Sequence, residues 1–177
     1  GQYRQSLVAF LCRVRDSRPC APLAGAGRAT YAAKPLTTIL TKGVCAMTYT
    51  GQCHCGAVRY QLSGEPKVVS LCHCRDCQRS AGAPMVSWAM FAETALSITS
   101  GQPKTINSSG TAMRSFCGEC GSGLFYRNAA ILPGIVDVQS ATLDDPDQLP
   151  PSLQIQTAER LHWISTINDL PGFERYP

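Results

Sequence analysis

Seven cysteines of this 177-residue chain fall into three tight groups: Cys53-His54-Cys55, then Cys72-His73-Cys74-Arg75-Asp76-Cys77, then Cys117-Gly118-Glu119-Cys120. Gaps of one and two residues favour chelation over disulfides within a group, because neighbouring thiolates can reach one tetrahedral zinc at about 2.3 Å each. Such groups constrain the fold more than any other feature, since whatever flanks them must converge on the metal. Two, three and two thiols make one closed four-sulfur site and one three-sulfur site with a position to spare. Closed sites hold folds together, and open ones can do chemistry.

Residues i and i+2 of a strand point to the same side, so Cys53 and Cys55 read as a pincer with His54 turned away. Gly56 follows that pincer and Gly121 follows Cys120. A glycine there permits the positive-φ backbone that turns amide N–H groups back towards the sulfurs. Cys53, Cys55, Cys117 and Cys120 are therefore expected to share a structural zinc. Cys72, Cys74 and Cys77 offer a three-point grip on a second zinc, expected to be catalytic. Three thiolates make that site electron-rich and its bound water a poor source of hydroxide. A soft incoming thiolate fits better, so thiol chemistry is favoured over hydrolysis.

Each reading has a rival. The three-cysteine set can instead be a second structural site completed by another residue. Cys74 and Cys77 also match a redox pair, but no βαβ pattern surrounds them and Cys72 is close by. His54 and His73 are ligand candidates that alternation turns away from the flanking sulfurs, which leaves packing as the expected role. Arg75 and Arg79 stand where they can offset the site's charge or receive a carboxylate, or can simply be solvated.

The formal charge of +4 is unevenly spread. Residues 1–46 carry seven basic residues against Asp16 alone, and the remainder carries nine basic against eleven acidic. The cysteine-bearing part is thus weakly acidic, and no nucleic-acid partner is expected for it. No apolar run approaches the roughly 20 residues that span a bilayer, so no membrane role is expected. Residues 1–46 are expected to be a basic N-terminal extension, disordered or outside the fold. An Arg-rich, acid-poor composition resembles an organelle transit peptide, with a translated upstream stretch or a cloning remnant as the alternatives. Cys12, Cys20 and Cys45 are widely spaced and receive no role. Reduced thiolates fit a cytoplasmic location better than an oxidising one.

Residues 47–177 read as one mainly β domain of short strands broken by turn residues. Ala57–Leu62 alternates and stops at Ser63-Gly64-Glu65-Pro66, and Lys67–Leu71 runs into the second cysteine group. Met85–Phe91 looks like a strand buried on both faces, with Trp88, Met90 and Phe91 as core. Leu96–Thr99 alternates, and Lys104–Asn107 and Thr111–Phe116 flank a hairpin loop at Ser108-Ser109-Gly110. Leu124–Arg127, Gly134–Val138 and Leu153–Thr157 are further strands. Asp144-Asp145-Pro146-Asp147 reads as a turn or a one-turn helix start with an Asp cap ahead of Pro. The tail from Leu161 onward is expected to lie over the sheet as an ordered strap.

Three motifs together resemble the glutathione-dependent formaldehyde-activating enzyme family, whose domain is shared with centromere protein V. They are Gly51-Gln52-Cys53-His54-Cys55-Gly56, Cys72-His73-Cys74-Arg75-Asp76-Cys77-Gln78-Arg79 with Gly82, and Cys117-Gly118-Glu119-Cys120-Gly121. Leu161-His162-Trp163 and Leu170-Pro171 are similar to that family's C-terminal signature. The resemblance covers residues 50–177 and implies an Mss4-like fold of folded-over β-sheets with two zinc sites at strand ends. It assigns Cys53, Cys55, Cys117 and Cys120 to the structural zinc and Cys72, Cys74 and Cys77 to the catalytic one. It also implies a carbon–sulfur lyase that forms S-(hydroxymethyl)glutathione from formaldehyde and glutathione. A thiol carrier without turnover and a zinc-ordered protein-interaction module are the alternatives.

Overall fold

The computed structural model describes residues 47–176, so the expectations for residues 1–46, with Cys12, Cys20 and Cys45, lie outside the described residues. Ten short strands are present among them: β1 Thr48–Gln52, β2 Arg59–Ser63, β3 Val68–Cys72, β4 Val86–Ala92, β5 Leu96–Ser100, β6 Lys104–Ser109, β7 Ala112–Phe116, β8 Gly123–Arg127, β9 Ile135–Gln139 and β10 Leu153–Ile155. They form two sheets. The smaller has the order β1-β2-β5, and the larger has the order β10-β3-β4-β9-β8-β7-β6. All pairings are antiparallel except β10 with β3, where Ile155 lies opposite Cys72. The mainly β expectation holds.

Alternation explains which faces meet. Tyr49 in β1 and Tyr60 and Leu62 in β2 are buried while their neighbours are exposed, so the small sheet has one apolar face. That face packs on Phe91, Phe125, Val136 and Val138 of the large sheet. Tyr49 meets Phe91 edge-on at 5.9 Å, and Tyr60 meets Phe125 at 5.1 Å. Each large side chain fully buried contributes about 1.5–3 kcal/mol, with about 0.5–1.5 kcal/mol more for an edge-to-face pair. Strand β4 lies inside the large sheet between β3 and β9, with Trp88, Ala89, Met90 and Phe91 all buried as the apolar run predicts. By contrast β5 and β6 close the outer edges of their sheets, and their side chains are mostly exposed despite the alternating sequence of β5.

A second tie joins the sheets near the end of β1. Gly51 bridges Leu143, the Asp144 amide donates to the Thr50 carbonyl at 2.9 Å, and the Tyr60 and Thr142 hydroxyls lie 2.7 Å apart. A Cβ at Gly51 would strike the Tyr60 ring and stand 2.7 Å from the Thr142 carbonyl oxygen, which accounts for a glycine two residues before Cys53.

Three details differ from the sequence reading. The helix α1, Arg75–Ala81, grows directly out of the second cysteine group, where the sequence reading placed no helix. The hairpin tip sits one residue later, because β6 runs on to Ser109 through a register shift and leaves Gly110 (φ 54°) and Thr111 at the turn. The tail forms 3-10 turns over His162–Asp169, broken at Thr166 and anchored by buried Ile164. At Pro146–Gln148 the expected short turn is present with Pro in its first turn. The Asp145 carboxylate accepts from the Gln148 side chain at 2.8 Å and makes no backbone cap.

Candidate metal centres

Cys53 and Cys55 lie in the turn that follows β1, and Cys117 and Cys120 lie in the turn that follows β7. The pincer at Cys53 is therefore a turn, not the strand that the i, i+2 argument assumed. The tight spacing is met by a bend closed by Gly56 N–H donating to the Cys53 carbonyl at 3.0 Å. The partner turn is closed by Gly121 N–H donating to the Cys117 carbonyl at 2.9 Å. Gly56 (φ 74°) and Gly121 (φ 78°) both take the left-handed backbone that their position after a thiol anticipates. The Val58 amide donates to the Cys53 sulfur at 3.2 Å, and the His54 amide crosses to Ser122 Oγ in the other turn at 3.0 Å.

The four sulfurs lie within 4.8 Å of one another, with 3.6 Å between Cys53 and Cys55 and 3.8 Å between Cys55 and Cys117. A tetrahedral ion with bonds of about 2.3 Å needs sulfurs about 3.8 Å apart. The Cys53–Cys55 and Cys55–Cys117 pairs come close to that spacing, so this donor set is compatible with zinc. The thiols share their protons unequally. Cys120 is pushed down to about 5, chiefly by the Ser122 side chain and amide. Cys55 accepts from the Ala57 amide, yet the thiols of Cys120 and Cys53 drive it up to about 12. Zinc binds thiolates, so metal binding at this cluster would release the protons its thiols hold.

The second centre is built from consecutive residues. Cys72 ends β3, Cys74 is the N-cap of α1, and Cys77 lies in its first turn. Cys74 caps with sulfur where Ser, Thr, Asp or Asn are usual, accepting from the Cys77 amide at 3.3 Å. The three sulfurs lie within 4.8 Å of one another and also fit one metal ion, with Cys72 and Cys77 buried and Cys74 half-buried. Among the described residues no fourth His, Cys, Asp or Glu joins this group, whereas the first group has four thiols. His73, between Cys72 and Cys74 in the chain, is fully buried, its Nε2 is 2.9 Å from Gln154 Oε1, and its Nδ1 has no partner. His54 is exposed. Neither histidine joins a sulfur set; His73 packs in the interior as expected, whereas His54 stands on a turn and does not take the packing role expected of it.

The surroundings of the second centre include groups that the sequence reading missed. Arg114 of β7 is buried and points its Nη2 at the Cys77 sulfur, 3.7 Å away. Its guanidinium lies 5.0 Å over Tyr126 and 5.9 Å from Trp88. Cys77 is pushed down to about 5, first by the Cys72 thiol and against burial, then by Cys74, Arg114 and Trp88. Cys72 moves up in exchange, through its bond to Cys77 and through burial. Asp137 of β9 is buried too, and burial together with the Cys77 charge raises it to about 7. The outer side of α1 forms an open groove with Arg75, Gln78, Arg79, Gly82, Leu161 and Trp163 among its lining. Arg75 is tied into this region by its amide, which donates to Glu159 at 2.6 Å, and by its side chain, which bonds Gln78.

The profile of the glutathione-dependent formaldehyde-activating enzymes matches residues 48–159, a span that takes in all three cysteine groups. The chain belongs to that family. It is 28% identical over 113 residues to an uncharacterized lyase of Schizosaccharomyces pombe, a match that covers 56% of this chain and 82% of that protein. The crystal structure of a Rhodobacter sphaeroides protein, 24% identical, matches 59% of this chain and 98% of its own at a TM-score of 0.46. Family membership and a lyase-named relative support a lyase-type enzyme. Among the described residues no helix is long and apolar enough to cross a membrane.

Proposed function

We propose that the chain is a zinc-dependent carbon–sulfur lyase acting on a thiol adduct of formaldehyde, with glutathione as the thiol. The observation that carries this reading is the contrast between two sulfur clusters, one of four thiols and one of three. In this reading Cys53, Cys55, Cys117 and Cys120 hold a structural zinc, and Cys72, Cys74 and Cys77 hold the ion at which substrate reacts. Zinc bound there would supply Lewis acidity and a coordination position for a soft sulfur ligand.

The protein's own groups do the rest. In the synthetic direction the glutathione sulfur bonds to the formaldehyde carbon, the C=O π bond opens, and the thiol proton ends on the new hydroxyl oxygen. The reverse direction breaks the same S–C bond. Glutathione carries two carboxylates, and the groove beside the three-thiol centre offers Arg75 and Arg79 at its polar side. Trp163 and Leu161 offer apolar area for the peptide's backbone. Holding both reactants beside one centre converts a bimolecular encounter into a local one, the source of most of the expected acceleration.

NMR exchange spectroscopy on glutathione and formaldehyde with the zinc-loaded protein tests the reading. Exchange between free formaldehyde and the S-hydroxymethyl adduct should speed up in proportion to protein concentration. Background exchange with both metals bound would overturn catalysis, and saturable glutathione binding without acceleration would identify a thiol carrier.

A further inference from the structure

We propose that Arg114 is a positioning residue of the three-thiol centre, a buried cation that fixes the Cys77 sulfur and balances the charge of the thiolate set. The inference rests on the reading of Cys72, Cys74 and Cys77 as metal ligands, and it is independent of which reaction follows. Arg114 is only 7% exposed. A guanidinium so buried requires a counter-charge, because leaving a charge unpaired in the interior costs several kcal/mol. Yet among the described residues the one carboxylate ion pair is Arg127 with Glu93, at the surface. Arg114 instead donates from Nη2 towards the Cys77 sulfur at 3.7 Å and from Nε to Ser108 Oγ at 3.1 Å. Its flat face is held over Tyr126.

The charges explain the pairing. Three thiolates on one divalent ion leave a single net negative charge, and one buried arginine cancels it. Each partner is the answer to the other's desolvation. Donation to a ligand sulfur also draws electron density from the metal–sulfur bond and orients that sulfur, as outer-shell donors do. Ser108 and the two aromatic rings keep the fork from swinging away. Arg114 reaches the site from β7, whose end carries Cys117 three residues later, so one strand serves both centres.

The test uses the full chain loaded with cobalt(II), whose sulfur-to-metal charge-transfer bands report thiolate ligation directly. Bands of the three-thiol centre are those lost in Cys74→Ser. Arg114→Met keeps the apolar stem and removes the charge and donors. It should lower cobalt affinity at the three-thiol centre by about 10–100-fold and move its band to lower energy, leaving the four-thiol bands unchanged. Arg114→Lys should restore most of the affinity, because the cation stays, but not the band position, because the fork's bond to Cys77 is lost. Unchanged affinity and band in Arg114→Met, equal losses at both centres, or a Lys variant as impaired as Met would each overturn the proposal. If Arg114→Met does not fold, Arg114→Lys alone decides: an unmoved band overturns it. Failure of the three-thiol centre to bind cobalt would remove its metal reading and this inference together. Cobalt binding without lyase activity would remove only the proposed reaction.

Discussion

Cys55 and Cys117 are separated by 62 residues of chain and come from turns after strands of different sheets. Cys72, Cys74 and Cys77 come from six consecutive residues at one end of the large sheet. Both groups bring soft sulfur donors within 4.8 Å of one another. The difference is what lies between the ligands. A metal on the first group would close a long loop and fasten β1 of the small sheet to β7 of the large one, so it would constrain the whole fold. A metal on the second would tie only the end of β3 to the first turn of α1. The same ligand chemistry therefore has a global consequence in one place and a local one in the other.

The sharpest way to break that comparison is Cys117→Ser. It removes a fully buried thiol of the four-sulfur set. Structural zinc contributes on the order of 10 kcal/mol in small domains, against a typical total stability of about 5–15 kcal/mol, so loss of most of that contribution should unfold the protein. Circular dichroism and the yield of folded protein are the readout. A Cys117→Ser protein with an intact sheet spectrum and a native melt would remove the clamp.

A much smaller effect sharpens the other half. Arg79→Ala in the groove should raise the KM for glutathione by up to about fivefold with kcat unchanged. That is the size of an exposed ion pair, about 0.2–1 kcal/mol, and it affects binding without touching the reacting atoms. A fall in kcat at constant KM would place Arg79 in the chemistry and contradict a binding role.

The strand pattern was readable because it depends on local alternation and punctuation. Met85–Phe91 announced a doubly buried strand, and Ser63-Gly64-Glu65-Pro66 announced the end of β2. The expectation that the thiols gather as four and three rested on spacing, and the observed gathering follows from turns that bring those spacings together. What local reading lacks is partnership. Nothing in Leu153–Ile155 says that it lies parallel to β3. The helix α1 was missed because seven residues are two turns, too short for a 3.6-residue period to emerge, and its cap is a cysteine. Arg114 was missed because an arginine in a strand reads as solvent-facing. A signal existed: period-2 counting from Ala112 puts Arg114 on the buried face. Its partner sulfur, 37 residues earlier in the chain, left no local trace.

The claim that one centre holds the fold and the other works is tested most directly by Cys74→Ser, read by metal content and thermal melting with and without glutathione. Serine is a good N-cap, so α1 keeps its first bond while the thiol donor is weakened to a hydroxyl. The account predicts a folded protein with a near-native melt, one zinc fewer per chain, and no shift of the melt on adding glutathione. A Cys74→Ser protein that unfolds as completely as Cys117→Ser would contradict it.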